Sequence, residues 1–169
     1  RTNALALGDL DRDGDLDLFI GNGLEHAPVK NEVWLNDGHG LFENSGQVLG
    51  ITGTVAIGLA DLDGDGDLDA LAGNDTGYDY ACLPLPCPRG GGVEVWLNDG
   101  TGTFYEKGSR FSAETHTSDV ATVDVDDDGD LDAVVANAAT YYSTSGLWGG
   151  GESRVWLNDG SGAFSDSGQ

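Results

Sequence analysis

Apolar and polar positions along this chain group into short runs, and the grouping recurs. Leu5–Leu7 is a brief apolar stretch, an acidic segment follows, and Leu16–Ile20 is then almost continuously apolar. Runs this short, bounded by turn residues, predict buried strands rather than helices. Glu32–Leu35 predicts a third strand and the segment around Phe42 a fourth. Between them Asn36-Asp37-Gly38 is a turn, with glycine supplying the positive φ such a hairpin needs. Short connections imply that all four strands pair antiparallel in one twisted sheet. The 1–2 and 3–4 loops then share one end of that sheet, and the 2–3 loop lies at the other.

The pattern occurs three times. Asp9–Asn22, Asp61–Asn74 and Asp124–Asn137 align without gaps, as do Trp34–Phe42, Trp96–Phe104 and Trp156–Phe164. The interval from the Asn to the Trp varies most, at 12, 22 and 19 positions, while the Phe stands 19 and then 20 positions before the next first Asp. Such periodicity means stacked units, none of which buries its apolar face alone. The expected fold is all-β, with three tandem four-stranded units at residues 1–53, 54–116 and 117–169 forming one domain. The recurring Trp and Phe are expected in the core or between units.

Composition narrows the function. Seven basic residues against 30 acidic ones give a formal charge of −23, which excludes nucleic acid and anionic membrane surfaces as partners. An apolar share of 38% still supports a folded core. Glycine at 28 of 169 residues suits turns and short strands. The absence of Met, even at position 1, suggests a mature or excised piece. The longest uncharged stretch, Ala133–Gly151, is too rich in Gly, Ser, Thr and Asn for membrane insertion.

Sixteen of the acids lie in three loops of the form D-x-D-x-D-G-D-x-D. Carboxylates at positions 1, 3, 5 and 9 of a loop curled around its glycine provide hard oxygen ligands, which suits Ca²⁺ better than Mg²⁺. Three monodentate Asp, the carbonyl of position 7 and a bidentate Asp at position 9 would complete about six contacts. An EF-hand would need Glu at position 12 and flanking helices. Ile20, Ala72 and Val135 stand there instead, inside apolar strands. Without a cation the loops would be solvated acidic turns burdened by mutual repulsion.

These loops, each followed by an apolar strand and then W-L-N-D-G-x-G-x-F, resemble the FG-GAP/VCBS repeats of integrin-α-like β-propellers, over essentially the whole chain. The resemblance implies one Ca²⁺ per repeat, in the hairpin loop between the first two strands of each blade. It assigns as ligands Asp9, Asp11, Asp13, Asp15 and Asp17 in the first blade. In the second these are Asp61, Asp63, Asp65, Asp67 and Asp69, and in the third Asp124, Asp126, Asp128, Asp130 and Asp132. Asp15, Asp67 and Asp130, at position 7, are expected to offer only their backbone carbonyls. Gly21-Asn22, Gly73-Asn74 and Ala136-Asn137 replace the Gly-Ala-Pro element of integrins, which favours the microbial VCBS branch. Because propellers close with 4–8 blades, three blades predict an incomplete propeller, one completed between chains, or a linear array.

Two insertions depart from the repeat. Residues 75–92 carry Tyr78, Tyr80 and the pair Cys82 and Cys87; residues 138–153 carry Tyr141, Tyr142 and Trp148. Aromatic residues on loops of a rigid scaffold suit contact with a protein or glycan, or with further copies of the chain. The cysteines read as a staple disulfide in an oxidising, extracellular or cell-surface setting, with free thiols and a two-cysteine zinc site as other readings. Asn74 heads the sequon Asn74-Asp75-Thr76 and is a candidate for glycosylation, although it matches Asn22 and Asn137, which lack the sequon. His26, His39 and His116 occupy unrelated positions with no nucleophile motif, so no catalytic residue is expected. The leading expectation is a calcium-stabilised extracellular adhesion or ligand-binding module. A self-assembling structural block, even a filament, is the alternative, and a propeller portion of a polysaccharide-active enzyme the minor one.

Overall fold

The computed structural model describes the chain apart from residues 24–28, 51–52, 76–77, 80–86, 89–90, 109, 113–115, 139, 143–146 and 150. For 78–79, 87–88, 140–142 and 147–149 it describes the backbone alone. Every regular element among the described residues is a strand.

The first sheet contains β1 (Thr2–Gly8), β2 (Asp17–Asn22), β3 (Glu32–Asn36) and β4 (Phe42–Asn44), hydrogen-bonded in chain order. The second is built from β5 (Gly53–Ala60) and β6 (Asp69–Asp75). A two-residue hairpin follows, β7 (Tyr78–Asp79) with β8 (Cys87–Pro88), before β9 (Gly92–Asn98) and β10 (Phe104–Glu106) complete the sheet. The third begins with β11 (His116–Val123) and β12 (Asp132–Ala138). Its inserted hairpin pairs β13 (Thr140–Tyr142) with β14 (Leu147–Gly149), and β15 (Arg154–Asn158) and β16 (Phe164–Asp166) close it. All pairings are antiparallel. Three four-stranded antiparallel blades are therefore present, as the repeats imply. β5 and β11 each begin one residue ahead of the expected unit boundaries.

Register repeats as faithfully as sequence. The Trp of the third strand lies opposite Leu18, Ala70 and Ala133 in the three blades. Each first strand is bulged at the same place, between Thr2 and Ala4, Thr54 and Ala56, and Thr117 and Asp119.

Two apolar cores lie between blades rather than within them. Leu10, Phe19, Val33 and Leu49 of the first blade meet Ala70, Ala72, Trp96 and Phe104 of the second. Leu62, Leu71, Val95, Leu97 and Phe111 meet Val120, Ala133, Val135, Trp156 and Phe164 of the third. The Trp and Phe of a repeat thus face the preceding blade, with Phe104 edge-on to Phe19 at 5.3 Å. The middle blade is consequently covered on both sides: β6 is buried from Asp69 to Asn74, and β9 along its whole length. β1 lies beside β5 and β5 beside β11, so the blades stand in series and close no barrel. The linkers contribute too. Leu49 bridges to Asn31, and Phe111 to Val93, sealing the end of each interface.

Candidate metal centres

Each acidic loop joins the first two strands of a blade, and its fold follows from its spacing. The glycine at position 6 has φ of 93°, 91° and 99° in Gly14, Gly66 and Gly129, a conformation other residues adopt only with strain. That turn aims the Gly N–H at the carboxylate of position 1: Asp9, Asp61 and Asp124 accept it at 3.1, 3.0 and 3.0 Å. The carboxylate of position 5 accepts the N–H of position 7, in Asp13, Asp65 and Asp128. The chain thereby curls around its own carboxylates.

The curl brings acids together. In the first loop one oxygen each of Asp9, Asp11 and Asp13 lies within 4.8 Å of the others; in the second the set is Asp61, Asp63 and Asp69, and in the third Asp124, Asp126 and Asp132. Positions 1 and 3 converge every time, joined by position 5 in the first loop and by position 9 in the other two. Oδ1 of Asp9 and of Asp124 is buried with no hydrogen-bond partner among the described residues. A buried carboxylate oxygen without a donor is costly unless a cation meets it. The all-oxygen donor set and these orphaned atoms fit a hard divalent ion, and Ca²⁺ accepts irregular oxygen coordination of this kind.

Electrostatics point the same way. Burial, then the neighbouring carboxylates, push Asp11, Asp63 and Asp126 above the usual carboxylate range. Burial raises Asp69 to about 6 although two backbone N–H groups stabilise its charge. A bound cation would reverse that balance.

Position 9, expected as a bidentate ligand, holds the backbone in all three loops. Both oxygens of Asp17 are taken by backbone donors, Leu10 N–H and Asn36 N–H, each at 2.8 Å. Asp69 accepts from Leu62 and Asn98, and Asp132 from Val125 and Asn158, at 2.8–2.9 Å. All three carboxylates are fully buried. Position 9 therefore rivets the acidic loop to the end of the third strand, while a remaining lone pair faces the cluster in the second and third blades.

Position 7 points elsewhere, in keeping with a carbonyl-only role. Asp15, Asp67 and Asp130 each turn toward the glycine of the Asn-Asp-Gly turn in their own blade. A Cβ on Gly100 or Gly160 would stand 2.5 or 2.6 Å from the carboxylate. Asp127 occupies position 4 with φ of 62° and belongs to no cluster.

Asn36, Asn98 and Asn158 read in the sequence as turn residues, yet they also join blades. The side-chain amide of Asn98 donates to the carbonyl of Leu10 in the preceding blade at 2.8 Å, and that of Asn158 to Leu62 at 2.8 Å. Among the described residues the side-chain amide of Asn36 donates only to Leu16 of its own blade. Identity of the Asn in all three turns was the one available signal.

The other candidates separate clearly. Asn74 is fully buried, its Oδ1 accepting from the Thr54 hydroxyl and its amide donating to the Ala72 carbonyl. A glycan acceptor must be exposed, so the folded chain displays the structural role Asn74 has in common with Asn22, which pairs with Thr2 in the same way. Tyr80 and Cys82 fall outside the described residues, as do the side chains of Tyr78, Cys87, Tyr141, Tyr142 and Trp148. Their backbones place Tyr141 opposite Trp148, and Asp79 opposite Cys87, on the two inserted hairpins. His39 is exposed against its own turn, and His116 pairs with Asp75 at 2.5 Å. No described helix is long and apolar enough to cross a membrane.

Comparison with known families returns the FG-GAP-like repeat, whose profile matches residues 9–72 and 74–135. The matched segments contain all three acidic loops and each runs from one blade into the next. No curated protein matches the chain.

Proposed function

The chain belongs to the family of FG-GAP-like repeats, and from that premise we propose that it is a calcium-stabilised, extracellular module that binds a protein or glycan ligand. The observation that carries the calcium reading is the threefold convergence of carboxylates, two of them with buried oxygens that lack a hydrogen-bond donor. The binding reading rests on layout. Both long insertions leave the second strand of a blade, at the end away from the acidic loops, so the metal end is free to stiffen the scaffold while the other end varies. The module itself is non-catalytic, even where it serves a polysaccharide-active enzyme.

Calorimetric melting with calcium and with EDTA tests the first part. Calcium should raise Tm by 10 °C or more, about 3 kcal/mol or beyond for a chain of this size. Identical melts would remove the calcium reading. Tyr141→Ala with Trp148→Ala, assayed against a panel of glycans and surface proteins, tests the second part. Retention of every captured ligand would overturn it.

Assembly between chains is the second reading, favoured by the end faces. Leu5, Leu7 and Leu16 of the first blade are 60%, 54% and 56% exposed, whereas their equivalents Ile57, Leu59 and Leu68 pack into an interface. Concentration-dependent sedimentation that Leu7→Lys abolishes would support it, and a monomer at all concentrations would oppose it.

A further inference from the structure

Arg12 occupies position 4 of the first acidic loop, where φ is 63° and its backbone lies between the two candidate ligands Asp11 and Asp13. Its side chain leaves that loop and enters the second. The guanidinium forms an ion pair with Asp67, which is 4% exposed, and Nη2 donates to the carbonyl of Asp65 at 3.1 Å. Asp65 and Asp67 are positions 5 and 7 of the second loop, and Nη2 would also lie 3.1 Å from a Cβ at Gly66. One side chain therefore ties the curled backbone of one metal loop to that of the next. The same step from the second loop to the third is absent, because position 4 there is Gly64, and in the third loop it is Asp127, of opposite charge.

We propose that Arg12 is a positioning residue that couples the first two metal centres, so that an ion in the first loop favours an ion in the second while the third fills independently. The inference rests on the calcium reading. An ion held by Asp11 and Asp13 fixes the backbone from which Arg12 projects. The fixed guanidinium then holds Asp65 and Asp67 in the curled form that the second ion requires, lowering the entropy left to lose. Asp67 faces Gly100 rather than the ion, so Arg12 cancels a buried charge that would otherwise strain the empty loop.

The amides of Gly14, Gly66 and Gly129 report the three loops separately in a calcium titration followed by NMR. Asp11→Asn, which disables the first loop, should raise the midpoint of Gly66 about fivefold and leave that of Gly129 unmoved. In Arg12→Gly the backbone is kept, since the second loop carries Gly64 at the same position with φ of 75°. There Asp11→Asn should no longer move Gly66. Arg12→Lys should restore only part of the effect, because an ammonium lacks the planar fork that reaches two acceptors. Asp13→Asn serves in place of Asp11→Asn if that variant melts below the wild type in EDTA. Equal shifts of Gly66 with and without Arg12 overturn the coupling, and so does a shift to lower calcium, the sign that repulsion between ions gives. Three glycine amides indifferent to calcium overturn the calcium reading as well.

Discussion

A carboxylate in these loops serves the ion, the backbone or both, and the roles differ in what their loss costs. Asp69 is fully buried and accepts the N–H of Leu62 and of Asn98. Asp69→Ala leaves both donors without an acceptor in a dry site, a loss of about 2–4 kcal/mol already in EDTA, and more in calcium because Asp69 also belongs to the cluster. Asp63, by contrast, gives up mainly a site in the cluster. Asp63→Ala should leave the melt in EDTA unchanged or slightly higher, since like charges are relieved, and should lower it in calcium. Equal losses for the two variants in EDTA would contradict the distinction. Titration gives a second contrast. In the metal-free chain Asp69 titrates at about 6 rather than 3.8. The native state therefore binds the proton more tightly than the unfolded one, and the stability this provides is complete below pH 3.8 and lost as pH rises through 6. Asp11, Asp63 and Asp126 shift in the same direction. Chemical unfolding in EDTA should accordingly show a chain more stable at pH 5 than at pH 7. Saturating calcium should reverse the order, because protons then compete with the ion.

At the scale of an element, the acidic loop and the Asn-Asp-Gly turn form one unit, held by the position-9 rivet and by the position-7 side chain lying on the turn glycine. Gly100 has φ of 76° and would place a Cβ 2.5 Å from Asp67, which Arg12 holds in place. Gly40 has φ of 84° and open space around it. Gly100→Ala should thus cost about 2–4 kcal/mol, against about 1 kcal/mol for Gly40→Ala, where only the left-handed backbone is strained. Thermal melts of both variants in calcium measure the difference; equal shifts would mean that Asp67 moves aside freely. Much of this element is legible in the sequence. The acids, the position-6 glycine and the turn lie within nine-residue windows, so spacing alone gives strands, turn and the crowding of carboxylates. The double duty of Asp17, Asp69 and Asp132 is not legible, because it depends on Asn36, Asn98 and Asn158 N–H groups 19 to 29 positions away. Arg12 is hidden for a different reason: position 4 is Arg, Gly and Asp in the three loops, and variation within a repeat reads as freedom. Phe19 and Phe111 were equally silent, being apolar residues among many until their rings met Phe104 and Trp156.

Across the whole molecule, stability is a sum over blades and the interfaces between neighbours, and the turn Asn makes that sum testable. Asn98 and Asn158 reach carbonyls 88 and 96 positions away, each in the preceding blade, in addition to one in their own. Asn36 has the same sequence context and the same local bond, to Leu16. The three residues share the bond to position 8 of their own acidic loop, and Asn98 and Asn158 differ from Asn36 in being buried and in adding the inter-blade bond. Asn98→Ala and Asn158→Ala each leave a buried backbone carbonyl, Leu10 or Leu62, without its donor, beside an apolar core that excludes water. Each should lower stability by about 1–3 kcal/mol more than Asn36→Ala does. The loss should also appear as faster hydrogen exchange across the interface concerned. Asn98→Ala should release β1 and β2 from β5 and β6, with β11 and β12 still protected, and Asn158→Ala should do the converse. If all three variants cost the same and exchange rises evenly, the side-chain amides act only within their turns, and the blades are joined by apolar packing alone.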